Sequence, residues 1–200
     1  MSKIGAIVLA AGMSKRMGQP KMLLPLNGKP LFRYPLELCL RSELDHIVLV
    51  GGQHLETFRK MSVDLHGIEF LSNERFADGM SSSLKKGIER MVNRTDAVFI
   101  FLGDQPFVPD RVIKSMVKEY NEGDDVKIVR PKYDGDLGHP ILINKSLFPE
   151  FLKLVGDQGG REVINKYRSH TIILPFEQSH WGMDIDSVED YRRSKEYSHY

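Results

Sequence analysis

The sequence predicts an α/β fold built on a doubly wound, mostly parallel sheet in a single domain. Four short apolar runs, residues 4–9, 47–50, 97–102 and 126–129, lack polar alternation. Such runs suit strands covered on both faces. Segments of helical period lie between them. Strands alternating with helices give parallel pairing through right-handed crossovers.

Each element has its own signal. Residues 31–40 are helix-like, but Pro35 lies among them, so the helix either begins near Pro35 or is kinked there. Residues 80–91 place Leu84, Ile88 and Met91 on one face, and residues 112–120 do the same with Val112, Met116, Val117 and Tyr120. After about Arg130 the rhythm changes. Residues 131–138 read as loop, 141–143 as a short strand, 146–154 as helix and 156–160 as loop. A helix at 161–167, a strand at 171–174 and a closing helix at 188–196 complete the chain. No composition break divides it, so residues 1–200 read as one domain, without repeats or low complexity.

A chain of 200 residues, 41% hydrophobic and 28% charged, is globular in composition and needs no staples. The 28 basic residues are nearly matched by 27 acidic ones, for a net charge of +1. That balance argues against a general nucleic-acid or membrane partner, though a local basic pocket stays open. Cys39 is the only cysteine, so no internal disulfide forms, and its apolar setting suits a core filler. No window reaches 18 apolar residues, and no secretory signal stands at the start. A cytoplasmic protein is the expectation.

The richest segment follows the first strand. Residues 9–21 read Leu-Ala-Ala-Gly-Met-Ser-Lys-Arg-Met-Gly-Gln-Pro-Lys. Small residues at Ala10, Ala11 and Gly12 let a ligand approach the backbone, and Lys15, Arg16 and Lys21 supply cations for phosphate oxygens. Lys21 is expected to be exposed on this loop. The segment is not a Walker A loop, because Gln19 follows Gly18. Nor is it a dinucleotide fingerprint, which needs three spaced glycines and a carboxylate closing the second strand. An ordinary strand-to-helix turn with basic surface residues is the alternative.

Open parallel sheets bind ligands at the carboxyl ends of their strands. The strand at 97–102 delivers Gly103-Asp104-Gln105-Pro106 to the same edge as the Ala10 loop. Asp104, at the end of so apolar a strand, needs a partner. Magnesium fits, since it takes one or two carboxylates and completes its shell with phosphates and water. A helix cap near Pro109 or an Asx turn before Pro106 is the alternative. Asp184 and Asp186 would share a side if extended, so either can be a second ligand. Asp186 or Ser187 can also cap the closing helix, with Glu189 or Asp190 in its first turn.

Together these segments resemble one family, the molybdenum cofactor cytidylyltransferases within the nucleotidyltransferases. The matching residues are Leu9-Ala10-Ala11-Gly12 with Ser14, Arg16, Met17, Gly18 and Lys21, then Gly79-Met80-Ser81-Ser82-Ser83 and Gly103-Asp104-Gln105-Pro106. Gly138-His139-Pro140, residues 156–161 (Gly-Asp-Gln-Gly-Gly-Arg) and Met183-Asp184-Ile185-Asp186 continue the likeness over nearly the full length. The chain is also similar to accessory proteins of bacterial xanthine dehydrogenases in purine breakdown. The resemblance implies a Rossmann-like nucleotidyltransferase fold. It implies CTP and molybdopterin as substrates, the cytosine dinucleotide cofactor and pyrophosphate as products, and a molybdenum hydroxylase as client. Leu9 to Gly12 would hold base and ribose, Arg16 and Lys21 the phosphates, and Gly79 and Ser81 to Ser83 would sit against the nucleotide, with Gly103 beside them. Asp104 would hold Mg2+, with Asp186 as second ligand. Guanylyl-transferring relatives tend to carry Gly-Gly at the Ala10-Ala11 positions, so the alanine pair favours CTP.

The chemistry agrees. A phosphate monoester is already anionic near pH 7 because its second pKa is about 6. No side-chain nucleophile is needed, and catalysis reduces to alignment and charge neutralisation at the α-phosphate. Pro140 pushes His139 toward an extended conformation, where its imidazole either faces the cofactor or merely bonds a loop. Arg161 either grips the acceptor's phosphate or is a solvated surface residue. Trp181 either stacks on a pterin or packs under the carboxylate loop. Two other functions fit the same residues: nucleotidyl transfer to a sugar phosphate, and a non-catalytic protein that delivers finished cofactor.

Overall fold

The computed structural model describes residues 2–156 and 160–197. In chain order the elements are β1 (Ile4–Ala10), β2 (Pro25–Leu26), β3 (Lys29–Pro30), α1 (Arg33–Arg41), β4 (Ile47–Gly51), α2 (Leu55–Lys60) and β5 (Ile68–Ser72). Then come α3 (Met80–Met91), β6 (Ala97–Leu102), α4 (Asp110–Glu122), β7 (Ile128–Tyr133), β8 (Asp136–Leu137) and β9 (Ile141–Asn144). The chain closes with α5 (Phe148–Phe151), α6 (Arg161–Lys166), β10 (Thr171–Phe176) and α7 (Val188–Ser194).

One sheet carries the strand order β10-β7-β9-β6-β1-β4-β5, with β8 paired to β7. Apart from β9 and β8, which pair antiparallel, its strands are parallel. Ile7, Val8 and Ala6 of β1 are fully buried, as the absence of alternation requires. One face is covered by α1, α2 and α4 through Leu36, Phe58, Val112 and Met116. The other is covered by α3, α5 and α6 through Leu84, Ile88, Phe151 and Val163. The sheet is therefore doubly wound. The chain builds outward from β1 to β4 and β5, then returns to place β6 on the other flank of β1. This reversal makes the carboxyl ends of β1 and β6 the topological switch point, where such sheets bind ligands.

Gly87 sets the seat of α3. A Cβ there would stand 2.5 Å from Ile7 Cγ2, so only glycine lets the helix lie this close to β1.

Several boundaries differ from the sequence reading. The helix at 31–40 begins at Arg33, which puts Pro35 in its first turn, where a missing N–H does no harm. The strand expected at 126–129 runs from Ile128 to Tyr133, and the loop expected at 131–138 is the end of this strand plus the β7–β8 hairpin. Pro131 and Gly135 signalled a turn too early: Pro131 sits in the ladder, opposite Leu174 of β10. The helix expected at 146–154 is a 3-10 turn followed by the four-residue α5. Cys39 is a buried core residue whose thiol pKa is pushed up by burial.

Candidate active site

The loop after β1 and the loop after β6 meet at the switch point. The Gly103 N–H donates to Leu9 O at 3.0 Å, which joins the two strand ends. Ser14 Oγ accepts the Lys21 N–H at 3.1 Å, and a 3-10 turn at Lys21–Leu23 then directs Lys21 inward. Its ammonium lies between two carboxylates. Nζ donates to Asp104 Oδ2, and to Asp186 Oδ1 at 2.6 Å. Arg16 reaches the other oxygen of Asp186 at 2.8 Å. Lys21 and Asp104 are buried, whereas Arg16 is largely exposed. The expectation of an exposed Lys21 is thus overturned: the carboxylates draw it in.

Asp184 and Asp186 are brought there by the segment after β10. The Ile185 N–H donates to Asp104 O at 3.2 Å, which fastens this segment to the end of β6. Ser187 caps α7 in a capping box with Asp190. Asp104 is no helix cap, since its carboxylate goes to Lys21 and α4 starts behind Pro109. Asp184 accepts a hydrogen bond from Gln105 Nε2 at 2.9 Å.

The charges set the protonation states. Burial works against the Lys21 ammonium, but the charge of Asp104 and bonds to both carboxylates outweigh it and hold its pKa above the ordinary lysine value. Burial likewise opposes ionised Asp186, yet Lys21 and Arg16 keep its pKa below the usual carboxylate range. Asp184 has no cation of its own. Burial, with the nearby charge of Asp104, raises it to about 6.

Two carboxylates converging on one cation position suit a hard divalent ion that takes further ligands from phosphate and water. No group of three or more His, Cys, Asp or Glu among the described residues is placed to hold a metal. The donor set is therefore Asp104 and Asp186, with the Lys21 ammonium as competitor.

These groups open onto a cavity of about 530 Å³, lined by Leu9, Ala11, Gly12, Arg16, Lys21 and Gly79 among others. Asp104, Asp184, Asp186, Ser83 and Leu102 share that lining. Gly79 precedes α3 with φ of 100° and ψ of 177°, a conformation essentially reserved for glycine. Ala10 lies in the core at the end of β1, and Ser81 and Ser82 line a neighbouring cavity with Arg75 and Gly156. Asn73, unread in the sequence, donates to Ser82 Oγ at 2.8 Å and Ser83 Oγ at 2.9 Å, and so fixes the first turn of α3. Gln105 was also given no role, although its place in Gly-Asp-Gln-Pro marked it.

Gly103, His139 and Arg161 are not part of the cavity lining. His139 is joined to Pro140 by a cis peptide and offers its carbonyl to the Tyr133 hydroxyl at 2.9 Å. Burial, with the charge of Arg130, pushes its imidazole down to about 4, so it is neutral near pH 7. Arg161 opens α6, and Asp157, Gln158 and Gly159 before it lie outside the described residues. Trp181 is a core residue with the Arg111 guanidinium 3.8 Å from its ring centre, which settles its role as packing.

A doubly wound sheet with a cationic loop and an acidic pair at its switch point defines a nucleotide-phosphate-handling protein of the nucleotidyltransferase fold. The chain belongs to the family of the MobA-like NTP transferase domain, whose model matches residues 6–171. It is 26% identical over 200 residues to the molybdenum cofactor cytidylyltransferase of Escherichia coli, covering 98% of this chain and 97% of that protein. It is 27% identical over 193 residues to the purine catabolism protein PucB of Bacillus subtilis, covering 92% of each. Among solved structures, the Rv0371C complex with manganese from Mycobacterium tuberculosis superposes with a TM-score of 0.82 at 26% identity, over 97% of this chain and 98% of that one.

Proposed function

We propose that residues 1–200 form a single nucleotidyltransferase domain that transfers CMP from CTP to molybdopterin. The products are the cytosine dinucleotide cofactor and pyrophosphate, and the cofactor goes to a molybdenum hydroxylase such as xanthine dehydrogenase in the cytoplasm. The observation that carries this reading is the convergence of Asp104 and Asp186 on Lys21 beside the small-residue loop after β1. The names of the relatives support the acceptor.

In this reading Leu9, Ala10, Ala11, Gly12, Gly79, Gly103 and the Ser81–Ser83 turn hold the nucleoside. Asp104 and Asp186 hold Mg2+, which when bound draws charge from the triphosphate oxygens. Lys21 then leaves the carboxylates for the phosphates, and Arg16 joins it at the exposed rim. Both neutralise the repulsion between triphosphate and the acceptor phosphate, whose anionic oxygen attacks the α-phosphorus while pyrophosphate leaves. His139 and Arg161 stand on the acceptor side. Cations aligned in this way should lower the barrier by an amount of order 2–4 kcal/mol per lost contact, by analogy with oxyanion donors.

Pyrophosphate release from purified protein, molybdopterin and Mg2+ with each of the four nucleoside triphosphates tests this. CTP is expected to dominate. Equal turnover with GTP would overturn the base assignment. Transfer to sugar phosphates but not molybdopterin would overturn the acceptor. Molybdopterin binding without transfer would leave a delivery protein.

A further inference from the structure

Arg130 is a cation that the reading above does not use. It sits in β7, and alternation puts it on the same sheet face as Ile128, which is the face of Leu9, Leu102, α3 and α6. Its Nε donates to Gly138 O at 3.0 Å and its other amino group to Leu137 O at 3.4 Å, so the guanidinium is fixed under the 137–139 turn. His139 is the next residue. The β6–β9 ladder ends at Ile100 opposite Ile141; two residues further it sets His139 level with Leu102, which lines the nucleotide cavity. Arg161 approaches from α6, whose Val163 packs in the same core as Ile141. Among the described residues neither arginine has a carboxylate partner. Burial and the charge of Arg161 both pull the Arg130 pKa down, the signature of positive charge left without a counter-ion. Two arginines and a desolvated histidine therefore gather at the carboxyl edge with nothing anionic between them, a costly arrangement unless a ligand balances it.

We propose that Arg130, Arg161 and His139 form a second anion site, which holds a negatively charged group of the acceptor remote from its attacking phosphate. Two strand spacings separate β6, which carries Asp104, from β7, so the two anions of the acceptor lie about 10 Å apart. This rests on the transfer reading for the position of the attacking phosphate. It names the acceptor class: a phosphate monoester with a second anionic end, rather than a simple sugar phosphate. The planar guanidinium of Arg130, preset by two carbonyls, suits an oxyanion or a similarly multidentate acceptor of hydrogen bonds.

Calorimetric titration of the full chain with inorganic phosphate, the nucleotide cavity being filled by CTP without divalent ion, tests the site. Arg130→Gln and Arg161→Gln should each bind phosphate roughly tenfold more weakly, while Lys21→Met should not. Arg161 is exposed, so its substitution reads the site even if the Arg130 variant misfolds. In the transfer assay with molybdopterin, the same two variants should raise the acceptor KM and leave the CTP KM unchanged, and Arg130→Lys should recover part of the loss. Phosphate binding equal to that of the unaltered chain in both variants, or weakened only by Lys21→Met, would overturn the proposal. Absence of transfer with any nucleotide while phosphate still depends on Arg130 would instead overturn the transfer reading alone.

Discussion

Lys21 shows how far single residues were legible. Its presence in a phosphate-type loop was plain, but its burial was not. That burial depends on carboxylates 83 and 165 positions away, and no local pattern announces them. The consequence is a double role. Lys21→Met strands two carboxylates beside each other, and loss of one partner of a buried pair typically costs about 3–5 kcal/mol. A clear fall in Tm is expected, and Mn2+ should restore more of it than in the unaltered chain, because the competitor for the carboxylates is gone. An unchanged Tm without Mn2+ would show that the ion pair is not formed. Asp184 gives a pH signature. Its pKa rises from an ordinary value near 3.8 to about 6 on folding, so the native state binds the extra proton. Its contribution to stability therefore declines as pH rises through that window. Asp184→Asn should stabilise the protein near pH 7, by an amount of order 1–3 kcal/mol, and leave it unchanged near pH 4. Thermal melts at both pH values read this out.

At the scale of elements, apolar runs and helical period located β1, β4, β6, α3 and α4, because each is buried along its whole length or along one face. Elements that are only partly covered escaped. β5 is half-buried at the edge of the sheet, and α2 is only six residues long. Proline and glycine gave a false stop in β7, since the register to β10 tolerates Pro131. The switch point followed from the order of strands, and it is the element-level fact on which the site depends. Its mechanical condition is the contact of α3 with β1. Gly87→Ala should force the helix away from Ile7, at about 1–3 kcal/mol by the usual penalty of overpacking, and should disturb nucleotide use through Gly79 and Ser83. Denaturant unfolding measures the first effect, and KM for CTP the second. A substitution neutral in both would mean that helix and strand are not in close contact. Loss of the α7 cap in Ser187→Ala should cost about 1 kcal/mol.

For the molecule as a whole, one sheet edge gathers residues from the start, middle and end of the chain: Lys21 from the loop after β1, Asp104 from the end of β6, and Asp186 from the segment after β10. The family signature in the sequence ran through these three regions, which is why most of the site could be read before the fold. What could not be read was the division of labour at the edge: which serines turn away from the cavity, which carboxylate Arg16 takes, and that Arg130 lies unbalanced two strands from Asp104. The account as a whole rests on a divalent ion and a triphosphate meeting at Asp104 and Asp186. Electron paramagnetic resonance of Mn2+ titrated into the protein with and without CTP addresses this most directly. Mn2+ is expected to bind at a single site, more tightly with CTP present, and Asp104→Asn and Asp186→Asn should each abolish the effect of CTP. CTP-dependent Mn2+ binding that survives both substitutions would contradict it.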